Sequence, residues 1–189
     1  MSELRQAYQL CVYECQQQLL EENFDMKNNY SNCSEIEKEF FFYLGLLSTK
    51  FAEMETNVTS ILGGIITDDI FLINPVIEKN SLSQNVELLK KINLYKEFEK
   101  DNIHSLLTVI SEVRKDRNLF IHGLWGKPYK DGDEILIHCL EQRITPKMVR
   151  LGRMWTSAKE HSFKLSEIIS QIDKLDTIIA LQNNVLKKL

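Results

Sequence analysis

A chain of 189 residues, 43% apolar and 26% charged, has the make-up of a soluble globular protein and the length for one domain with a substantial core. Seven glycines and three prolines are too few for a loop-rich β-sandwich, so the composition leans helical. A net charge of −4 excludes the overall basic signature of a nucleic-acid binder. Residues 114 to 153 nevertheless carry nine Lys or Arg against five Asp or Glu, which permits a local polyanion site.

In chain order, Leu4, Ala7, Tyr8, Cys11, Cys15 and Leu19 repeat at helical spacing and mark a first amphipathic helix, followed by an Asn- and Ser-dense loop to Cys33. Ser34 and Glu37 form a capping-box pattern, in which each side chain satisfies backbone N–H groups at a helix start. The helix they open carries Ile36, Phe40, Tyr43, Leu47, Phe51, Met54, Val58 and Ile61 on one face, and Gly63-Gly64 is its expected stop. Residues 65–80 read as an irregular connector in which Pro75 argues against a long helix. Ser81 and Gln84 give a second capping box before a shorter helix through Val86, Leu89 and Ile92. After a break near residues 93–100, the next helix runs from about Asp101 to His122, with Gly123 as its stop. Asp131-Gly132, flanked by alternating residues, predicts a small two-stranded hairpin. Thr145-Pro146 then opens an expected last helix, along which Leu151, Met154, Ala158, His161, Leu165, Ile168, Ile172, Leu175, Ile179, Gln182, Leu186 and Leu189 follow a 3, 4 spacing. That seam lies either on the Ser34 helix or, in its distal half, against a second copy of the chain.

The expectation is therefore an all-α, up-and-down helical bundle with a long C-terminal helix and a small β-hairpin insertion. It forms a single domain over 1–189, with 1–33 as an additional N-terminal helix and loop and 123–141 as the insertion. Cys11, Cys15, Cys33 and Cys139 lack the paired spacing of a zinc site. The polar N-terminus has no signal-peptide core, and no apolar run approaches a membrane span, so a reduced, cytoplasmic protein without membrane contact is expected.

The segment RKDRNLFIHG, 114–123, carries the chemistry. On a wheel of about 100° per residue, Ile103, Leu106, Leu107, Ile110 and Ile121 make one stripe, and Arg117 and Arg114 fall inside it, with Asn118 and His122 at its edge. Cations at a helix C-terminus gain about 0.3–1 kcal/mol from the macrodipole, and that bland reading covers Arg114, Lys115 and Arg117. A guanidinium aimed into a dry core is costly unless paired, however, so Arg117 argues that the stripe opens into a cleft or a subunit interface. Glu55 is a candidate ion-pair partner. An imidazole exchanges protons near neutral pH, and a guanidinium fork grips phosphate oxygens. RNA brings its own nucleophile, the 2′-hydroxyl. Arg117, Asn118 and His122 are thus the candidate catalytic residues, Arg114 and Lys115 the candidate substrate-binding ones, and no metal or cofactor is expected. Trp125 and Trp155 read as packing residues, and His104 and His138 as ordinary exposed or half-buried side chains.

Arg117-Asn118-x-x-x-His122, followed by Gly123 at a helix end, resembles the R-x4-H signature of the HEPN superfamily in its RNxxxHG form. The resemblance covers roughly residue 35 to the C-terminus. It implies a metal-independent endoribonuclease of toxin–antitoxin or antiviral-defence type, acting on RNA as a homodimer, with an antitoxin or another defence-system protein as a further partner. It also admits a non-catalytic RNA- or protein-binding and assembly module. The tyrosine found two residues after the histidine in a modification-silenced toxin subgroup is Leu124 here, so that control is not expected. A structural adaptor dimerising through residues 151 to 189 is the third reading of the sequence.

Overall fold

At the start of the first described helix, the Ser34 backbone N–H donates to Glu37 Oε2 at 2.7 Å and the Glu37 N–H donates to Ser34 Oγ at 3.3 Å, the reciprocal cap anticipated from sequence. The computed structural model describes residues 33–149 and 152–189; the expected N-terminal helix, with Cys11 and Cys15, lies outside them. The chain divides into two compact units, Met1–Glu39 and Phe40–Leu189, and the candidate site belongs to the second.

Helix α1 spans Glu35–Ile66 and buries Phe40, Leu47, Phe51, Met54, Val58 and Ile61 along the expected face. It runs through Gly63 and Gly64 instead of stopping there. Neither glycine takes a left-handed φ, and the burial of Leu62, Gly63 and Ile65 carries the helix one further turn. The connector is also more regular than its proline suggested. Helix α2, Ile70–Ile77, contains Pro75, and its start is capped by Asp69 Oδ1, which accepts from the N–H groups of Phe71 and Leu72. The second capping box is present as expected at Ser81 and Gln84, and opens α3, Leu82–Lys96. Glu97 and Glu99, both at positive φ, turn the chain into α4, Lys100–His122.

The largest departure follows. In place of a small hairpin inserted into an all-α bundle stands a four-stranded antiparallel sheet of β1 Leu124–Trp125, β2 Tyr129–Asp131, β3 Glu134–Val149 and β4 Gly152–Lys164. The Asp131-Gly132 turn is where the sequence placed it, with Gly132 at φ +63 between the paired Asp131 and Glu134. Strand β3 is central: β2 and β1 pair along it, and β4 pairs from Leu136↔Lys164 to Val149↔Gly152. The expected last helix therefore begins only at Leu165, as α5, Leu165–Leu186, and the twenty residues before it are largely strand. Two features explain the difference. His161 and Phe163, two apart, pair opposite Cys139 and Ile137 on one side of the sheet, a period no helix provides. Thr145-Pro146 marks a register shift in β3 between Arg143 and Pro146, where a residue without an N–H is tolerated, not a helix start.

The inner face of the sheet joins the helical core through buried Ile137 and Cys139, with Trp125 and Phe163 packed beside them. Their rings meet Phe40 and Phe120: Trp125 lies 6.0 Å from Phe120 at 12° and 5.6 Å from Phe163, and Phe40 lies 5.7 Å from Trp125. The α5 seam is used within one chain, since Ile168, Ile172, Leu175, Ile179 and Gln182 are all buried. Gln182 is completely enclosed, donating to the Met54 carbonyl at 2.9 Å and accepting from Asn57 Nδ2 at 3.3 Å, so its polar atoms latch α5 to α1. Among the described residues, no single helix is long and apolar enough to cross a membrane.

Candidate functional site

Helix α4 ends at His122, with Gly123 as its C-cap in extended conformation. The Gly123 N–H donates to the Leu119 carbonyl at 2.8 Å, and the Trp125 indole N–H reaches back to the Phe120 carbonyl at 3.2 Å, so two of the terminal acceptors are satisfied. Gly123 itself has an ordinary φ of −67. Its requirement is space: a Cβ there would sit 2.2 Å from Cys139 Sγ and 2.5 Å from the Leu119 carbonyl oxygen. The glycine after the histidine thus lets β3 pass directly under the helix end. The buried Cys139 thiol is pushed up to about 11, first by desolvation and second by the Glu141 carboxylate.

His122 is the last residue of α4 and is exposed. One turn earlier, Arg117 lies half-buried, as its place on the apolar stripe required, and its charge is met by Glu55 of α1. Nε donates to Glu55 Oε1 at 2.6 Å and Nη2 to Glu55 Oε2 at 3.2 Å, a two-pronged pair whose side chains are 28% and 27% exposed. That clamp uses one edge of the guanidinium and directs the other. Nη1 donates to Asn118 Oδ1 at 3.1 Å and lies 3.5 Å from His122 Nε2.

The structure therefore brings together Arg117, Asn118 and His122, and adds Glu55. Glu55 carries one signal in the sequence as the ion-pair partner: it directly follows the buried Met54 and precedes the buried Val58 by three, which places it at the margin of the core-facing side of α1. Arg114 is half-buried and donates to Ser83 Oγ at 3.2 Å, so it braces α4 against α3. Nothing in the sequence singled out Ser83. Lys115 is exposed and, two residues before Arg117, lies on another side of the helix.

Other histidines have different company. His138 is held between the Tyr129 hydroxyl, 3.0 Å from Nε2, and Glu160, 3.1 Å from Nδ1, on the outer face of the sheet. His161 meets Glu141 at 3.0 Å. His104, expected to be ordinary, is exposed on α4. Trp125 is a packing residue, as expected. Among the described residues, no three His, Cys, Asp or Glu side chains are grouped to hold a metal ion.

An imidazole beside an anchored guanidinium is suited to a reaction in which a proton moves while charge accumulates on phosphate oxygens. The guanidinium edge facing His122 is set by protein contacts before any substrate arrives, which is the property electrostatic stabilisation requires. No family model, no curated protein and no solved structure matches this chain.

Proposed function

We propose that this chain is a metal-independent endoribonuclease of HEPN type that works as a homodimer in a toxin or antiviral-defence role. The observation that carries the reading is the 3.5 Å approach of Arg117 Nη1 to His122 Nε2, with the guanidinium anchored by Glu55. The RNA 2′-oxygen attacks the adjacent phosphorus, the bond to the 5′-oxygen breaks, and a 2′,3′-cyclic phosphate and a 5′-hydroxyl result. His122 exchanges the protons of this transfer, one from the 2′-hydroxyl and one to the leaving oxygen, with a second copy's imidazole available to divide the two roles. Arg117 offsets the charge that develops on the phosphate oxygens, and Asn118 holds the free edge of the guanidinium. Glu55 touches no reacting atom and is a positioning residue. The nucleophile belongs to the substrate, so the chemistry needs no protein Ser or Cys.

Cleavage of a labelled RNA in EDTA tests the reading. The expected result is cyclic-phosphate products from the wild-type protein and none from His122→Ala. Equal products from both proteins, or cleavage that vanishes only when metal is removed, overturns it. One observation favours a second reading, a non-catalytic RNA- or protein-binding module: Glu55 already neutralises Arg117. In that case Arg117→Ala weakens capture of RNA or of a protein partner, and no RNA is cut.

A further inference from the structure

The distal part of the β3–β4 ribbon has a composition unlike the rest of the chain. From Gln142 to Lys159 there are Arg143, Lys147, Arg150, Arg153 and Lys159, and no Asp or Glu, on a protein of net charge −4. Four of these cations occupy the two described, paired strands. Arg143 stands opposite Ser157, Lys147 opposite Met154, Arg153 opposite Met148 and Lys159 opposite Glu141. Even without Arg150, the register gathers this charge onto one two-stranded element, with Lys147 and Arg153, in successive paired rows, on its opposite faces.

Two features give the element a geometric relation to the helix end. Leu124, two residues after His122, pairs with Leu140 of β3, and Arg143 follows only three residues further along the same strand. At about 3.3 Å per residue, the first ribbon cation stands about 10 Å along β3 from the residue paired beside the site, and Arg143 to Val149 extends about 20 Å more. A two-stranded ribbon is narrow enough to follow a nucleic-acid groove or track a single strand, and contacts to phosphate oxygens need cations at intervals along it. Charge complementarity selects a polyanion, and the pairing of β3 with the strand after His122 selects the same polyanion that the site acts on.

We infer that the β3–β4 ribbon is an RNA-binding arm whose cations grip the phosphate backbone without reading sequence and lead the strand to the His122 end of α4. The inference rests on the proposed action on RNA, but its test does not depend on cleavage. Binding of a fluorescein-labelled RNA hairpin to His122→Ala protein is measured by anisotropy across a salt series and compared with the same protein carrying Arg143→Gln, Lys147→Gln, Arg153→Gln and Lys159→Gln. Each phosphate that is no longer neutralised lowers the slope of log K against log salt by about 0.7–0.9, so up to about 3 is expected for the four, with at least a roughly tenfold weaker affinity at low salt. A charge-preserving control, Arg143→Lys with Arg153→Lys, keeps the slope. Thermal melting checks that each variant is folded, and Lys147→Gln with Arg153→Gln alone, expected to lower the slope by about half as much, serves if the fourfold variant is not. Unchanged affinity and slope in the folded variants, or no RNA binding by His122→Ala protein, overturns the inference. Ribbon-dependent binding alongside a wild-type protein that cuts nothing leaves the arm standing and removes the nuclease.

Discussion

At the end of α4, His122 faces a guanidinium; on the outer face of the sheet, His138 faces a phenol and a carboxylate. Both imidazoles are exposed, and both have polar neighbours, at 3.5 Å for His122 and at 3.0 and 3.1 Å for His138. They differ in what surrounds them. Arg117 is fixed by Glu55 from a neighbouring helix, sits half-buried, and presents a permanent positive edge toward His122. Around His138, Tyr129 and Glu160 supply no cation, and Glu160 is 66% exposed. A phosphate would find the guanidinium edge that Glu55 leaves open at the first, and only a phenol and a carboxylate at the second. What separates a candidate phosphate site from a surface hydrogen-bond chain is therefore the anchored arginine, and the histidine alone decides nothing.

The comparison is broken most directly by removing each imidazole. His122→Ala is expected to lower single-turnover RNA cleavage by about 10²-fold or more, the usual worth of a general acid–base, while His138→Ala stays within about twofold of wild type. Equal losses would make the two sites indistinguishable and discard the distinction. The packing beneath the helix end gives the next largest effect. Gly123→Ala forces a Cβ into Cys139 Sγ and is expected to destabilise by about 1–3 kcal/mol in denaturant melts; Gly126→Ala, whose nearest neighbour would be 3.5 Å away, costs much less. Combining Gly123→Ala with Cys139→Ala should recover part of the loss.

The clamp on Arg117 is sharpened by Glu55→Gln. Loosening the guanidinium is expected to reduce kcat by about tenfold, with KM unchanged or lower because the cation is freer to meet phosphate. A change confined to thermal stability would show that Glu55 merely braces α1 against α4. The buried thiol gives a pH test of the same region. With the Cys139 thiol held protonated up to about 11 in the folded chain against an ordinary 9.0, the folded state binds more protons in that interval. Folding stability therefore falls as pH rises from about 9 toward 11, and Cys139→Ala flattens that limb of a stability–pH curve. Smallest is the outer chain: Glu160→Gln is expected to change stability by no more than about 0.5 kcal/mol, as for an exposed pair.

Much of the helical frame was legible in the residues. Ser34 with Glu37 and Ser81 with Gln84 are local caps, complete within four positions, and both helices start where those patterns stand. The period of α4, its end at His122, and the misplaced Arg117 were likewise local facts of spacing. The sheet was read at its turn and missed in its extent. Asp131-Gly132 is a short-range signal, whereas β4 exists because residues 152–164 fold back along β3 as a partner, a pairing that single-strand spacing does not encode. His161 and Leu165, four apart, fit a helical stripe as well as they fit the end of a strand and the start of α5, so spacing alone misled there.

By itself, then, the sequence determined where the helices capped at Ser34 and Ser81 begin, which faces α1 and α4 bury, and that an arginine, an asparagine and a histidine share one helix end, because each of these follows from intervals of a few residues; it did not find α2 or the true start of α5. Only the tertiary structure decided that Glu55 clamps Arg117, that Cys139 leaves room for nothing larger than Gly123, and that a cationic ribbon replaces the first turns of the last helix. The first two depend on groups 62 and 16 positions apart meeting in space, and the ribbon on a chain that folds back over as many as 28 positions from Leu136 to Lys164; no helical periodicity encodes such meetings.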